Sequence, residues 1–243
     1  MFHAPVKRIV PGAPGAVLFV HGILSTPRYY DDFLPSVPEG WSVSNVLLPG
    51  HGGTVQAFGR SSMAAWQAHV DAELEELCST HERVYVVAHS LGTLLTLESR
   101  ACREGRIAEM LLLAVPIRIR VKPGAFVHNL LKGVGLAEQD GSLRTYYGTD
   151  QDWRVWRYVR WIPRYLELFA RAAQVRRKVS AVRVPARVFL SGQDELVSPR
   201  VAQDLALCPA MQVQVLPDSS HHAYGDADKA LLQAELRAMC QGE

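Results

Sequence analysis

Unbroken apolar runs alternate along this chain with stretches of helical spacing. Ala16-Val17-Leu18-Phe19-Val20, Val84-Tyr85-Val86-Val87-Ala88 and Met110 to Val115 have no polar face. Successive strand side chains point to opposite sides, so runs of this kind predict strands buried on both faces. Between them, Ser61 to Cys78 carries Met63, Trp66, Val70, Leu74 and Leu77 at helical spacing, with Glu73, Glu75 and Glu76 on the wet side. That is the signature of an amphipathic helix. The same reading predicts strands over Val17 to His21, Val43 to Leu48, Arg187 to Ser191 and Gln212 to Leu216. It predicts further helices from about Pro27, from the end of the Val84 strand through Arg103, over Pro199 to Leu207 and over Ala227 to Cys240. Strands separated by helices imply an α/β architecture whose central sheet is mostly parallel and covered on both faces.

Composition narrows the class. With 243 residues, 48% hydrophobic and 21% charged, the chain suits one substantial domain with a buried core. No apolar run approaches the roughly 20 residues of a membrane span. Met1 to Arg8 lacks the apolar core of a signal peptide, so a cytoplasmic protein with no stable membrane insertion is expected. Cys78, Cys102, Cys208 and Cys240 are scattered without C-x-x-C spacing, which points to reduced thiols rather than a metal site or disulfide framework. Gly50-His51-Gly52-Gly53 lacks the spacing and the lysine of a phosphate loop, and the histidines form no metal-ligand pattern. No cofactor and no metal are expected.

The chemistry-bearing residues stand just past the apolar runs. The Val84 run reaches Ala88-His89-Ser90-Leu91-Gly92, a serine between small residues at a strand-to-helix turn. A serine hydroxyl is a poor nucleophile at neutral pH, and a sharp turn of this kind presents it to a neighbouring base. Taken alone, such a serine is more often a helix cap. Other segments supply partners: His21-Gly22-Ile23 after the first run, Gly192-Gln193-Asp194-Glu195 after the Arg187 strand, and Asp218-Ser219-Ser220-His221-His222 after the last.

The order Ser, Asp, His, each beyond an apolar strand, resembles the α/β-hydrolase superfamily, and within it the carboxylesterase and monoacylglycerol lipase group. The resemblance runs from Val17 to the last helix. It implies Ser90 as nucleophile, His221 as general base and Asp194 as the acid that orients His221, with backbone N–H groups of Ile23 and Leu91 as the oxyanion hole. His221 is chosen over His222 because a small pair, Ser219-Ser220, precedes it and Asp226 follows about a turn later. The alternative acid position, the loop Pro116 to Val121, holds no carboxylate. His21 and His51 read as structural hydrogen-bonders and His69 as a surface or boundary residue. With serine at the elbow, the aspartate-dependent dehalogenases and epoxide hydrolases of this fold are set aside.

One stretch differs from its surroundings. Residues 117–183 hold 14 Lys and Arg against 5 Asp and Glu, a balance of +9, which leaves −7 on the remainder of a chain of net charge +2. Trp153, Trp156 and Trp161 lie here, and Tyr158, Ile162, Tyr165, Phe169 and Ala172 are helically spaced, with Pro163 expected to kink or restart the helix. The resemblance makes 117–183 a cap inserted after the sixth family strand, with 1–116 and 184–243 forming the hydrolase core. Its aromatic side is expected to cover the acyl pocket and its basic side, including Arg154, Arg157, Arg160 and Arg164, to face solvent. Nucleic acid is not expected as a partner; an Arg-rich solvated face more often steers or solubilises. Oligomeric state is left open. The implied function is that of a serine hydrolase cleaving carboxylic esters, an acylglycerol or a simple acyl ester, through an acyl-enzyme intermediate, with two alternatives: an acyl thioesterase whose thioester has an anionic carrier, and a catalytically silent hydrolase-fold binding protein.

Overall fold

The computed structural model of the protein describes residues 3–120 and 154–242. Seven strands form one sheet: β1 (Val6–Arg8), β2 (Ala16–Val20), β3 (Ser42–Asn45), β4 (Val84–His89), β5 (Glu109–Leu113), β6 (Ala186–Ser191) and β7 (Met211–Leu216), in the order β1-β3-β2-β4-β5-β6-β7. Among the described strands, only β1 runs antiparallel to its neighbour; the other pairings are parallel. β1 has no counterpart in the sequence reading, because Val6-Lys7-Arg8 is short, exposed on every residue and without periodicity.

Period two divides each central strand between two cores. Leu18, Val86 and Leu112 face one side, with Trp66, Val70, Leu74 and Leu77 of α2 (Met63–Thr80). Val17, Phe19, Val87, Leu111 and Leu113 face the other, with Tyr29, Tyr30, Phe33 and with Leu232, Leu236 and Met239 of α7 (Asp226–Gln241). Each such fully buried side chain contributes roughly 1.5–3 kcal/mol. These are the positions that the two periodicities in the sequence single out.

Among the described residues, the remaining α-helices are α1 (Val55–Arg60), α3 (Leu91–Leu97), α4 (Arg100–Arg103), α5 (Ile162–Lys178) and α6 (Val201–Leu205). Thr54, Ser62 and Ser99 accept N-capping hydrogen bonds from Ala57, Ala65 and Cys102. The Ser99 cap divides the helix expected to continue through Arg103 into α3 and α4. The helix expected from Pro27 is one 3₁₀ turn, Pro27–Tyr30. The strand expected to reach Leu48 ends at Asn45.

Of residues 117–183, those numbered 121–153, including Trp153, lie outside the described residues. Ile119 forms a β-bridge with Val197. A 3₁₀ turn, Val155–Trp161, leads into α5, with Pro163 in the first helical turn, where its missing N–H costs nothing. Leu168, Ala172 and Val175 of α5 are buried against the sheet body.

The expected division into an inward aromatic side and an outward basic side holds only in part: Trp161 and Tyr165 pack against the core and Arg160 is exposed, but other positions are reversed. Trp156, Val159, Ile162 and Leu166 are 56–62% exposed, while the Arg164 side chain is only 13% exposed. Arg164 donates to the carbonyls of Gly59 and Ser61 and pairs with Glu167 at 2.6 Å. Arg171 donates to Gln67 Oε1. The reason lies at the end of α1, where the last carbonyls have no partner within the helix and the Arg164 guanidinium donates to them, while at the start of α1 the Trp161 indole N–H donates to Val55 O at 2.9 Å.

Candidate active site

Sequence and sterics build the turn at Ser90. β4 delivers the chain to Ser90, whose φ of 49° and ψ of −118° lie in a sparsely populated region for a residue with a side chain. The Ser90 N–H donates to Leu113 O at 3.0 Å, and Thr93 returns a backbone bond to Ser90 O at 2.9 Å. A Cβ on Gly92 would stand 2.1 Å from Val20 O, so only glycine lets α3 approach β2 this closely. Ala88 is fully buried, its methyl accommodated where the common pattern has glycine. Leu91 opens α3 directly after Ser90. A Cβ on Gly22 would lie 2.9 Å from His89 Nδ1 and 3.1 Å from Ser90 Cβ, so the turn leading to Ile23 abuts the serine.

Two more turns bring the partners. Past β6, Gly192 N–H donates to Leu216 O at 2.7 Å and Gln193 N–H to Ser219 O at 3.0 Å, which ties the Asp194 turn to the loop after β7. Asp194 Oδ1 accepts from the N–H groups of Leu196 and Val197, both at 2.8 Å. Those bonds aim Oδ2 at His221 Nδ1, 2.8 Å away. His221 Nε2 lies 3.0 Å from Ser90 Oγ. A carboxylate accepts only, so Nδ1 carries the proton and Nε2 is left to accept from the serine hydroxyl. His221 is 2% exposed and Ser90 6%.

Three further residues hold this array, and the sequence reading did not single them out for it. His89 Nε2 donates to His221 O at 2.8 Å, linking the residue before the serine to the backbone of the histidine loop. Its ring is stacked on Tyr29 at 4.3 Å. Glu195 Oε2 accepts from His221 N–H at 3.3 Å. Asp228, in the first turn of α7, accepts from Ser219 Oγ at 2.6 Å and from Asp218 N–H at 3.2 Å. Asp228, not Asp226, therefore anchors the histidine loop. A buried run ending in His before Ser was the available signal for His89; nothing local distinguishes Asp228 from Asp226.

Burial keeps the surrounding histidines neutral. His21 donates from Nδ1 to Gly22 O at 2.8 Å and accepts at Nε2 from Leu48 N–H at 3.1 Å. Burial, with the nearby His51, holds its pKa well below the ordinary value. His51 sits between the rings of His21, Phe58 and Trp66, and burial lowers it to about 4. Burial also lowers His89 and His222, each with His221 adding to the effect. His69 is half-buried on α2. His89, His221 and His222 bring ring nitrogens within 4.8 Å of one another. A cation held by all three would take His221 from Asp194 or Ser90, so the arrangement suits proton transfer better than metal ligation.

The model of the Alpha/beta hydrolase family matches residues 17–234, and the chain belongs to that family. Its fold resembles that of a lipolytic enzyme of the metagenome-derived pair LipS and LipT, with 20% identity over 99% of this chain and 98% of that one, at a TM-score of 0.75. A monoacylglycerol lipase from Paleococcus ferrophilus is 17% identical, with 99% of each chain covered and a TM-score of 0.68. Haloalkane dehalogenase DbeA from Bradyrhizobium elkani is 17% identical, with 98% of each chain covered and a TM-score of 0.67. At these identities the likeness is one of fold, and it spans more than one chemistry. No curated protein sequence is a significant match. Among the described residues, no helix is long and apolar enough to cross a membrane.

Proposed function

We propose that the protein is a serine hydrolase that cleaves carboxylic esters, acylglycerols or simple acyl esters, in the cytoplasm and without a cofactor. The observation that carries this reading is the relay from Asp194 Oδ2 through His221 to Ser90 Oγ, with distances of 2.8 and 3.0 Å. Ser90 Oγ attacks the acyl carbonyl while His221 Nε2 takes its proton, and Asp194 stabilises the resulting imidazolium. The N–H groups of Ile23 and Leu91 receive the developing oxyanion. Collapse expels the alcohol with the proton from His221, and water then releases the acid by the same steps in reverse. An aspartate at the elbow would suit halide displacement; the serine here suits acyl transfer.

The experiment is labelling with a fluorophosphonate, which modifies an activated serine and leaves an ordinary one untouched. Wild type is expected to label at Ser90 and Ser90→Ala not at all. Unlabelled, folded wild type would favour a silent binding protein instead. The second reading, a thioesterase whose substrate has an anionic carrier, draws on the +9 balance of residues 117–183. Comparing kcat/KM for an acyl-CoA and a neutral ester of equal chain length separates the two.

A further inference from the structure

A cavity of about 390 Å³ opens between α5 and the segments after β5 and β6. Arg118, Arg120, Arg176 and Arg200 all line it, beside Ile119 and Phe169, and no carboxylate does. Arg118 is held by Asp204 through two hydrogen bonds. Among the described residues, the guanidinium groups of Arg120, Arg176 and Arg200 have no ion-pair partner. Other arginines of the chain meet carboxylates closely: Arg106 with Glu75 at 2.6 Å and Arg187 with Glu109 and Glu235 at 2.7 Å.

Arg120, Arg176 and Arg200 are exposed at the rim of one concavity, and Asp204, paired with Arg118, is the carboxylate whose charge Arg176 also feels, so the guanidiniums around the cavity outnumber that carboxylate and leave a positive potential over it. The planar N–H fork of arginine matches phosphate oxygens two at a time, and apolar walls suit an organic group attached to the phosphate. Neither Ser90 nor His221 lines this space. Its relation to them runs through the backbone: Arg120 N–H donates to Leu196 O at 2.7 Å and Ser198 N–H to Arg118 O at 2.9 Å. Leu196 and Val197 are the residues whose N–H groups hold Asp194. A second cavity, of about 340 Å³, shares Arg120 and Ser198 and is lined by Asp194 itself.

We propose that the arginine-lined cavity is a binding site for a phosphate group carried on an apolar organic body. The site sits on the back of the turn that bears Asp194, outside the space around Ser90. The proposal needs no assumption about what Ser90 does.

Calorimetry on the full chain at low salt, with 1-naphthyl phosphate as probe, tests it. Inorganic phosphate and 1-naphthol serve as the two halves of the probe. Naphthyl phosphate is expected to bind more tightly than either half, and binding is expected to weaken as salt is added. Arg176→Gln with Arg200→Gln should weaken it at least about tenfold, since each removes a charge-assisted hydrogen bond. Arg8→Gln with Arg237→Gln removes the same charge elsewhere and should leave it unchanged; thermal melts check that both double variants fold. Ser90→Ala should bind as wild type, which separates this site from the hydrolase reading. Inhibition of p-nitrophenyl acetate hydrolysis by naphthyl phosphate that is lost in the Arg176→Gln, Arg200→Gln variant would support the site, and inhibition that this variant retains in full, with no loss of binding, would overturn it. No binding at millimolar probe, or equal loss in the two double variants, would overturn the proposal.

Discussion

The turn at Ser90 and the helix α5 are held by different means. At the turn the backbone decides: glycine at 92 touches Val20 O, Ser90 N–H is bonded to Leu113 O, and the positive φ of Ser90 is enforced from both sides. On α5 the side chains decide. Leu168, Ala172 and Val175 bury, Arg164 and Arg171 reach polar atoms of α1 and α2, Gln174 donates to Glu98 at 2.9 Å, and an apolar stripe is left exposed. A backbone-enforced turn fixes an atom to a fraction of an ångström, as proton transfer requires. The polar contacts of α5 are bonds worth about 1 kcal/mol each on long side chains, so losing one of them should be felt locally, while Leu168, Ala172 and Val175 keep the helix on the body.

If that contrast is right, changes at the relay should have the largest effect. His221→Ala is expected to lower kcat on p-nitrophenyl esters by about 10⁴ or more, and His222→Ala far less. Asp194→Asn should likewise exceed Glu195→Gln, although Glu195 accepts from the His221 backbone. Turnover numbers for the four variants decide both rankings, and an inversion in either would shift the assignment by one residue.

Gly92→Ala probes the turn through stability rather than chemistry. The added methyl meets backbone on β2, which cannot swing aside, so α3 or the turn must move. A loss of about 3 kcal/mol in urea unfolding is expected, with activity lost alongside. A fully stable, active variant would show that the elbow is looser than its contacts imply.

The difference between the two regions also decides what the sequence reveals. Strands β2, β4 and β5 are legible because burial on both faces leaves no place for a polar residue, and Ser90 stands out because it follows such a strand. Asp194 follows β6, which is less completely buried, and His221 follows β7, which is buried only at its two ends, so these two stand out by the order of the motifs rather than by burial. Arg164 and Trp156 were not. Nothing in their spacing tells which side of a helix meets the body, since an arginine that caps a neighbour's carbonyls and one that faces water have the same pattern. Ser99 ends a helix by capping the next one, a tertiary choice between two local options. Asp228 anchors the histidine loop only because α7 begins where it does.

The buried histidines of the body give a pH dependence that α5, which has none, cannot share. His51 is held at about 4 by burial, whereas in the unfolded chain it titrates near 6.5. Between these values the unfolded chain binds more protons, so stability is complete above about pH 6.5 and is lost progressively as pH falls toward 4. The His51 contribution is on the order of 3 kcal/mol, and His21 acts in the same direction. Urea midpoints between pH 7.5 and 4.5 measure it. His51→Gln, which cannot titrate, should flatten the profile, and an unchanged slope would refute the assignment.

The smallest expected effect is on α5. Arg164→Gln removes the donors to Gly59 O and Ser61 O and the pair with Glu167, whose carboxylate also receives Met63 N–H at 2.9 Å. Most of the pairing energy is offset by desolvation, so a global loss of only about 1 kcal/mol is expected. The local effect should be plainer: freed of Arg164, Glu167 can rotate away from Met63, and the first turn of α2 loses a bond that caps it. Hydrogen exchange at Met63 should therefore quicken while amides of β4 stay protected. Equal acceleration in both places would mean that α5 and the sheet open as one unit, and the contrast between a backbone-held site and a side-chain-held helix would fail.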